Sequence, residues 1–208
     1  MELLQKLVKL YVDGGPVIMT AILLASFFAI FIIIERLIYF KKINVNDEKI
    51  LERLSSAINN NHYDEALTIC ETAPSPVTNL MKAGIKHKDD TEQQIQDTIK
   101  DAANLEIPKL EKNLIALGTI ASITPLLGLF GTVIGNMEAF GLIGSQNALG
   151  SMELLAGGIA KALMTTAFGL AVAIPSSIFY NFLTNRANNM ILTLETRVNE
   201  LVMLLIKK

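Results

Sequence analysis

Charge is missing from three long stretches of this 208-residue chain, and cysteine and histidine are nearly missing from all of it. The single cysteine, Cys70, has no partner for an intrachain disulfide and reads as a small buried apolar residue. Two histidines, His62 and His87, stand without Cys, Asp or Glu at ligand spacing, so no metal centre is expected. No nucleophile constellation or phosphate loop is present, which argues against an enzyme, and no cofactor is expected. A net charge of −2 offers no basic field for nucleic acid.

What the chain has in abundance is apolar sequence: 51% of its residues are hydrophobic, and they are bunched. Gly14–Ile34, Asn113–Met137 and Ala162–Asn185 carry no charge. Each is long enough to cross a hydrocarbon core, which needs about 20 helical residues. The predicted class is therefore an all-α polytopic membrane protein with three transmembrane helices and long cytoplasmic helical extensions. The first run exceeds the apolar region of a signal peptide and has no small-residue cleavage pattern behind it, so it is expected to stay as an anchor.

Lysine and arginine set the orientation. Arg36, Lys41 and Lys42 follow the first run, Lys109 and Lys112 precede the second, and Arg186, Arg197, Lys207 and Lys208 follow the third. Between Glu138 and Gly158 there is none. The N-terminus is expected outside and the C-terminus inside. The expected organisation is an outer-interface amphipathic helix (1–13), a first span (14–34), a cytoplasmic helical domain (35–112) and a second span (113–137). A periplasmic connection with the start of the third helix (138–158), the third span (159–185) and a C-terminal cytoplasmic helix (186–208) complete it.

Within the cytoplasmic part, Asn59-Asn60-Asn61 supplies a turn, Thr72-Ala73-Pro74-Ser75-Pro76 breaks the chain, and Asp89-Asp90-Thr91 starts a long helix. That helix is expected to bend at Pro108 and otherwise to run on into the second span. The apolar stripe Ile191, Leu192, Leu194, Val198, Leu201, Val202 and Leu205 at the other end would be exposed in a single copy, which predicts self-association.

The spans are not inert anchors. The second carries Gly118, Ser122, Pro125, Gly128, Thr132 and Gly135 along one side, with Gly131 beside them; the third carries Gly158, Ala162, Thr165 or Thr166, Gly169, Ala173, Ser176 and Tyr180. Two readings stand: close helix packing with hydroxyls bonded back to the backbone, or a jointly lined, wetted path. A path for protons needs a titrating group, and no Asp, Glu or His lies in any of the three runs, so the carboxylate of such a path belongs to another chain. Lys161 either snorkels to the outer interface or lies in the bundle beside a carboxylate, for which Glu138 and Glu153 are candidates.

Ile107-Pro108-Lys109-Leu110-Glu111 leading into Leu117–Phe140, then Gly157–Asn181, together with Ala66-Leu67 and Pro74-Ser75-Pro76-Val77, resembles the ExbB/TolQ/MotA family of ion-driven motor subunits, most closely its ExbB/TolQ branch. The resemblance implies a homopentamer in the bacterial inner membrane, with spans two and three lining a pore. That pore would hold an ExbD- or TolR-like single-span partner whose transmembrane Asp binds the coupling ion, and a TonB- or TolA-like transducer would receive the energy. Thr132 and Thr166 would face that Asp, and Pro125 and Pro175 are the span prolines. The family commonly has Glu where this chain has Lys161, and the pair Thr165-Thr166 admits Na⁺ beside H⁺ as coupling ion. From other classes, a non-conducting scaffold and a self-sufficient hydroxyl-lined channel remain as alternatives.

Overall fold

The computed structural model describes residues 15–44, 47–145 and 151–206. The expected helix at 1–13 and the side chain of Glu153 lie outside the described residues. Seven helices and no strand occur among the described residues: α1 (Pro16–Asn44), α2 (Asp47–Asn59), α3 (Tyr63–Thr72), α4 (Pro76–Lys86), α5 (Glu92–Glu111), α6 (Leu114–Ser145) and α7 (Ser151–Ile206). Three stretches are long and apolar enough to cross a membrane: Pro16–Ile43, Glu92–Gly141 and Leu155–Leu205.

The chain divides into two units. One joins the described residues up to Ile34 to Asn113–Phe182; the other joins Glu35–Lys112 to the segment from Leu183 onward. In the first, α1 buries Met19, Ile22, Ala29 and Ile32 while Leu23, Leu24, Phe27, Phe28 and Phe31 stay exposed. Such a helix, apolar on all sides, suits a lipid surround.

The second unit is built like a soluble helical domain. α2 packs on α3, α3 on α4 and α4 on α5. Its core is Leu54, Ile58, Ala66, Ile69, Leu80, Met81, Ile85, Ile95, Ile99 and Leu110, joined by Leu183, Ala187, Leu194, Val198 and Leu205 of α7. The C-terminal stripe expected to be exposed in a single copy is therefore largely buried within one chain, since Leu194, Val198, Val202 and Leu205 turn into this core. The helix ends are closed locally. Asn61 takes a left-handed conformation (φ 60°), with the His62 amide bonded to the Ala57 carbonyl (2.8 Å) and the Asn61 amide to the Ile58 carbonyl (3.0 Å), a Schellman closure of α2. Ser75 and Thr78 form a reciprocal capping box before Pro76, and Thr91 with Gln94 forms another before α5.

α5 does not run on into the second span as expected. It passes through Pro108 and stops at Glu111, and Asn113 adopts φ 64° before α6 begins. Asn tolerates this left-handed conformation at low cost, which makes it the local cause of the break. The break also withdraws the amide that would have served the Lys109 carbonyl. The Arg36 Nη1 takes its place at 2.9 Å. Arg36 is 2% exposed, bonds Glu35 through Nε and Nη2 at 2.6 and 2.5 Å, and lies 4.5 Å over the Tyr39 ring. A cation at a helix C-terminus also suits the helix dipole.

Candidate functional site

The candidate site lies on the α6–α7 pair within the membrane unit. Glycine permits the approach of these helices. A Cβ on Gly128 would stand 2.9 Å from both the Thr165 carbonyl and the Thr166 Cα; one on Gly169 would stand 2.8 Å from the Thr124 carbonyl. Gly131 faces the Thr165 side chain, Gly135 faces Ala162, and Gly158 faces Ala139. Rising numbers on α6 meet falling numbers on α7, so the pair is antiparallel.

That arrangement fixes what lies beside the contact line. One residue along a helix turns the side chain by about 100°, and because the two chains run in opposite directions the residues just after each contact emerge on the same flank. Thr132 follows Gly131, Asn136 follows Gly135 and Thr166 follows Thr165. All three share one flank. Glu138 and Lys161 each precede a contact residue and fall on the opposite flank, where both are exposed.

The hydroxyls divide by their partners. Thr119 donates to the Ile115 carbonyl (2.9 Å), Ser122 to Gly118 (2.9 Å), Thr124 to Ile120 (2.5 Å), Thr132 to Leu129 (2.6 Å) and Ser176 to Val172 (2.7 Å). Each is satisfied within its own helix. Thr165 is fully buried in the contact, donates to the Ala162 carbonyl at 2.6 Å and lies 3.4 Å from the Gly128 carbonyl. It joins the helices. The Thr166 Oγ1 is different: it is buried and finds no hydrogen-bond partner among the described residues. The neighbouring threonines, taken together in the sequence, thus point about a third of a turn apart and do different work.

Asn136 shares the property of Thr166, since its Oδ1 is buried and unpartnered among the described residues. Sequence reasoning passed over it because it neither titrates nor carries a hydroxyl. Its signal was a lone carboxamide between Gly135 and Met137. Pro125 is half-buried and Pro175 exposed, and both helices continue through them. No group of three or more His, Cys, Asp or Glu side chains able to hold a metal occurs among the described residues.

A family model for the MotA/TolQ/ExbB proton channel family matches residues 72–196. The Tol-Pal system protein TolQ of Haemophilus influenzae is 48% identical over 88 residues, 42% of this chain and 38% of that protein. The biopolymer transport protein ExbB of Aquifex aeolicus is 41% identical over 99 residues, covering 48% of this chain and 66% of its own length. A putative ExbB-like biopolymer transport protein of Synechocystis aligns more widely, at 27% identity over 81% of this chain and 80% of its own. The matched part thus spans between about two fifths and two thirds of the first two relatives.

Proposed function

Because this chain belongs to the MotA/TolQ/ExbB proton channel family, we propose that it is the multi-span stator subunit of an ion-driven motor in the bacterial inner membrane, its N-terminus periplasmic. Five copies surround an ExbD- or TolR-like partner, whose transmembrane Asp supplies the carboxylate that the three charge-free runs lack. The coupling ion is H⁺, with Na⁺ the other cation that oxygen ligands would accept. Energy passes to a TonB- or TolA-like transducer. One charge crossing 100 mV releases about 2.3 kcal/mol, enough to bias the rotation of a packed helix.

The observation that carries this reading is the Thr166 Oγ1, buried in a membrane helix without a partner among the described residues and on the same flank as Thr132. A hydroxyl in hydrocarbon ordinarily bonds to its own helix, as the neighbouring ones do. One that does not is available to a group from outside the chain. Self-association is supported by Leu105 on α5 and by Leu192 and Met203 on α7, large side chains exposed in the cytoplasmic unit.

The test is Thr166→Val in the full chain with its native partner. Ion flux in reconstituted vesicles is expected to disappear while native mass spectrometry shows an unchanged assembly. Undiminished flux would remove Thr166 from the mechanism and favour the scaffold.

A further inference from the structure

Asn136 lies four residues beyond Thr132 on the same helix, about 6 Å along its axis. It is on the outer side of Thr132 in the orientation set by Lys and Arg. Its Oδ1 is buried with no donor among the described residues, an arrangement that is costly for a polar atom. Packing does not account for it. The close contacts above and below are made by Gly135 against Ala162 and by Ala139 against Gly158. An apolar residue such as the adjacent Met137 would fill the place without the cost.

A carboxamide offers an acceptor and two donors and does not ionise. It can hold a cation or orient its water, but it cannot take up the proton. Turning the amide about its last bond brings either the oxygen or the nitrogen to the flank shared with Thr132 and Thr166. We infer that Asn136 is a third polar residue of the ion path, one helical turn outward of Thr132, where its carboxamide ligates the hydrated coupling cation before it reaches the partner's carboxylate. The inference rests on the ion-path reading above. The two threonines then form the inner part of a polar ladder and Asn136 its outer step.

The experiment uses the full chain co-purified with its native partner and reconstituted in vesicles, with flux read by internal H⁺- and Na⁺-sensitive dyes. Wild type, Thr166→Val, Asn136→Leu and Asn136→Ser are compared, and native mass spectrometry reports assembly for each. Asn136→Leu is expected to lower the initial flux by about tenfold or more with assembly intact, and Asn136→Ser, small but polar, to recover most of it. Full flux in Asn136→Leu alongside lost flux in Thr166→Val would overturn this inference and leave the path standing. Loss of assembly in Asn136→Leu, with flux per intact complex unchanged, would overturn it in favour of a hydrogen bond between chains. Wild-type flux in both variants, or none from wild type, would remove the ion-path reading and this inference with it.

Discussion

The membrane unit and the second unit are both helical, yet they close their structures by opposite means. In the second unit, large apolar side chains fill the interior and the buried Glu106, 5% exposed, bonds both Asn79 (2.9 Å) and Lys109 (2.7 Å), though the Thr184 Oγ1 is buried without a partner among the described residues. In the membrane unit the helices approach on glycine, backbone against backbone, and two buried oxygens are left without partners among the described residues. Water explains the contrast. A soluble domain gains stability by removing apolar surface from water, whereas lipid gives no such drive and association depends on close packing and polar links. On the reading proposed above, the two orphans beside the glycine contact mark a place where something else binds.

The largest expected effect comes from adding one methyl group to each unit. Gly128→Ala puts a Cβ 2.9 Å from two backbone atoms that cannot yield without separating α6 from α7. A loss of about 3 kcal/mol, or failure to recover a monodisperse protein from detergent, is expected. Gly84→Ala in the second unit meets Ile99 Cδ1 and Leu205 Cδ1 at 2.9 Å, the free ends of flexible side chains. These can rotate, and alanine gains about 1 kcal/mol of helix propensity, so the net change should stay within about 1 kcal/mol. Thermal unfolding of the two variants side by side decides it. Equal losses would mean that glycine does the same work in both units.

Much of this contrast was legible in the sequence, because it depends on composition and period. The three spans stand out as charge-free runs, the Asn59-Asn60-Asn61 turn as a cluster of residues that tolerate left-handed backbone, and Thr91 as a helix start. The break between α5 and α6 was not legible. Pro108 drew attention as the bend, but a proline inside a helix removes one hydrogen bond and can be carried, whereas Asn113 at φ 64° ends it. Thr165 and Thr166 could not be told apart by period alone. Their difference arises from which of them meets Gly128 and Gly131, a tertiary fact.

Arg36 offers a smaller and sharper test of the second unit. By charge pattern it is one of several flanking cations that orient the chain, but its burial and its bond to the Lys109 carbonyl make it the cap of α5. Arg36→Ala leaves the Lys109 carbonyl uncapped and removes the guanidinium's bonds to Glu35, for an expected loss of about 2 kcal/mol in chemical unfolding. Arg36→Lys should recover less than half, since one ammonium cannot reproduce the bonds to Glu35 and the carbonyl together. If Arg36→Lys matches wild type, only the charge matters and the capping role is wrong.

The smallest effect concerns Cys70, whose burial raises its thiol pKa from 9.0 to about 11. The neutral thiol is thus favoured in the folded chain, and this contribution to stability is complete below pH 9 and lost as the pH climbs through about 11. Maleimide reacts with the thiolate, so at pH 8 a two-unit rise slows labelling of the folded chain by about a hundredfold relative to the denatured chain. Cys70→Ser should leave a polar group in an apolar place and destabilise by about 1–2 kcal/mol. Rapid labelling in the folded chain would show that α3 opens readily, and the second unit would then lack the closed interior that sets it apart from the glycine-packed pair of the membrane unit.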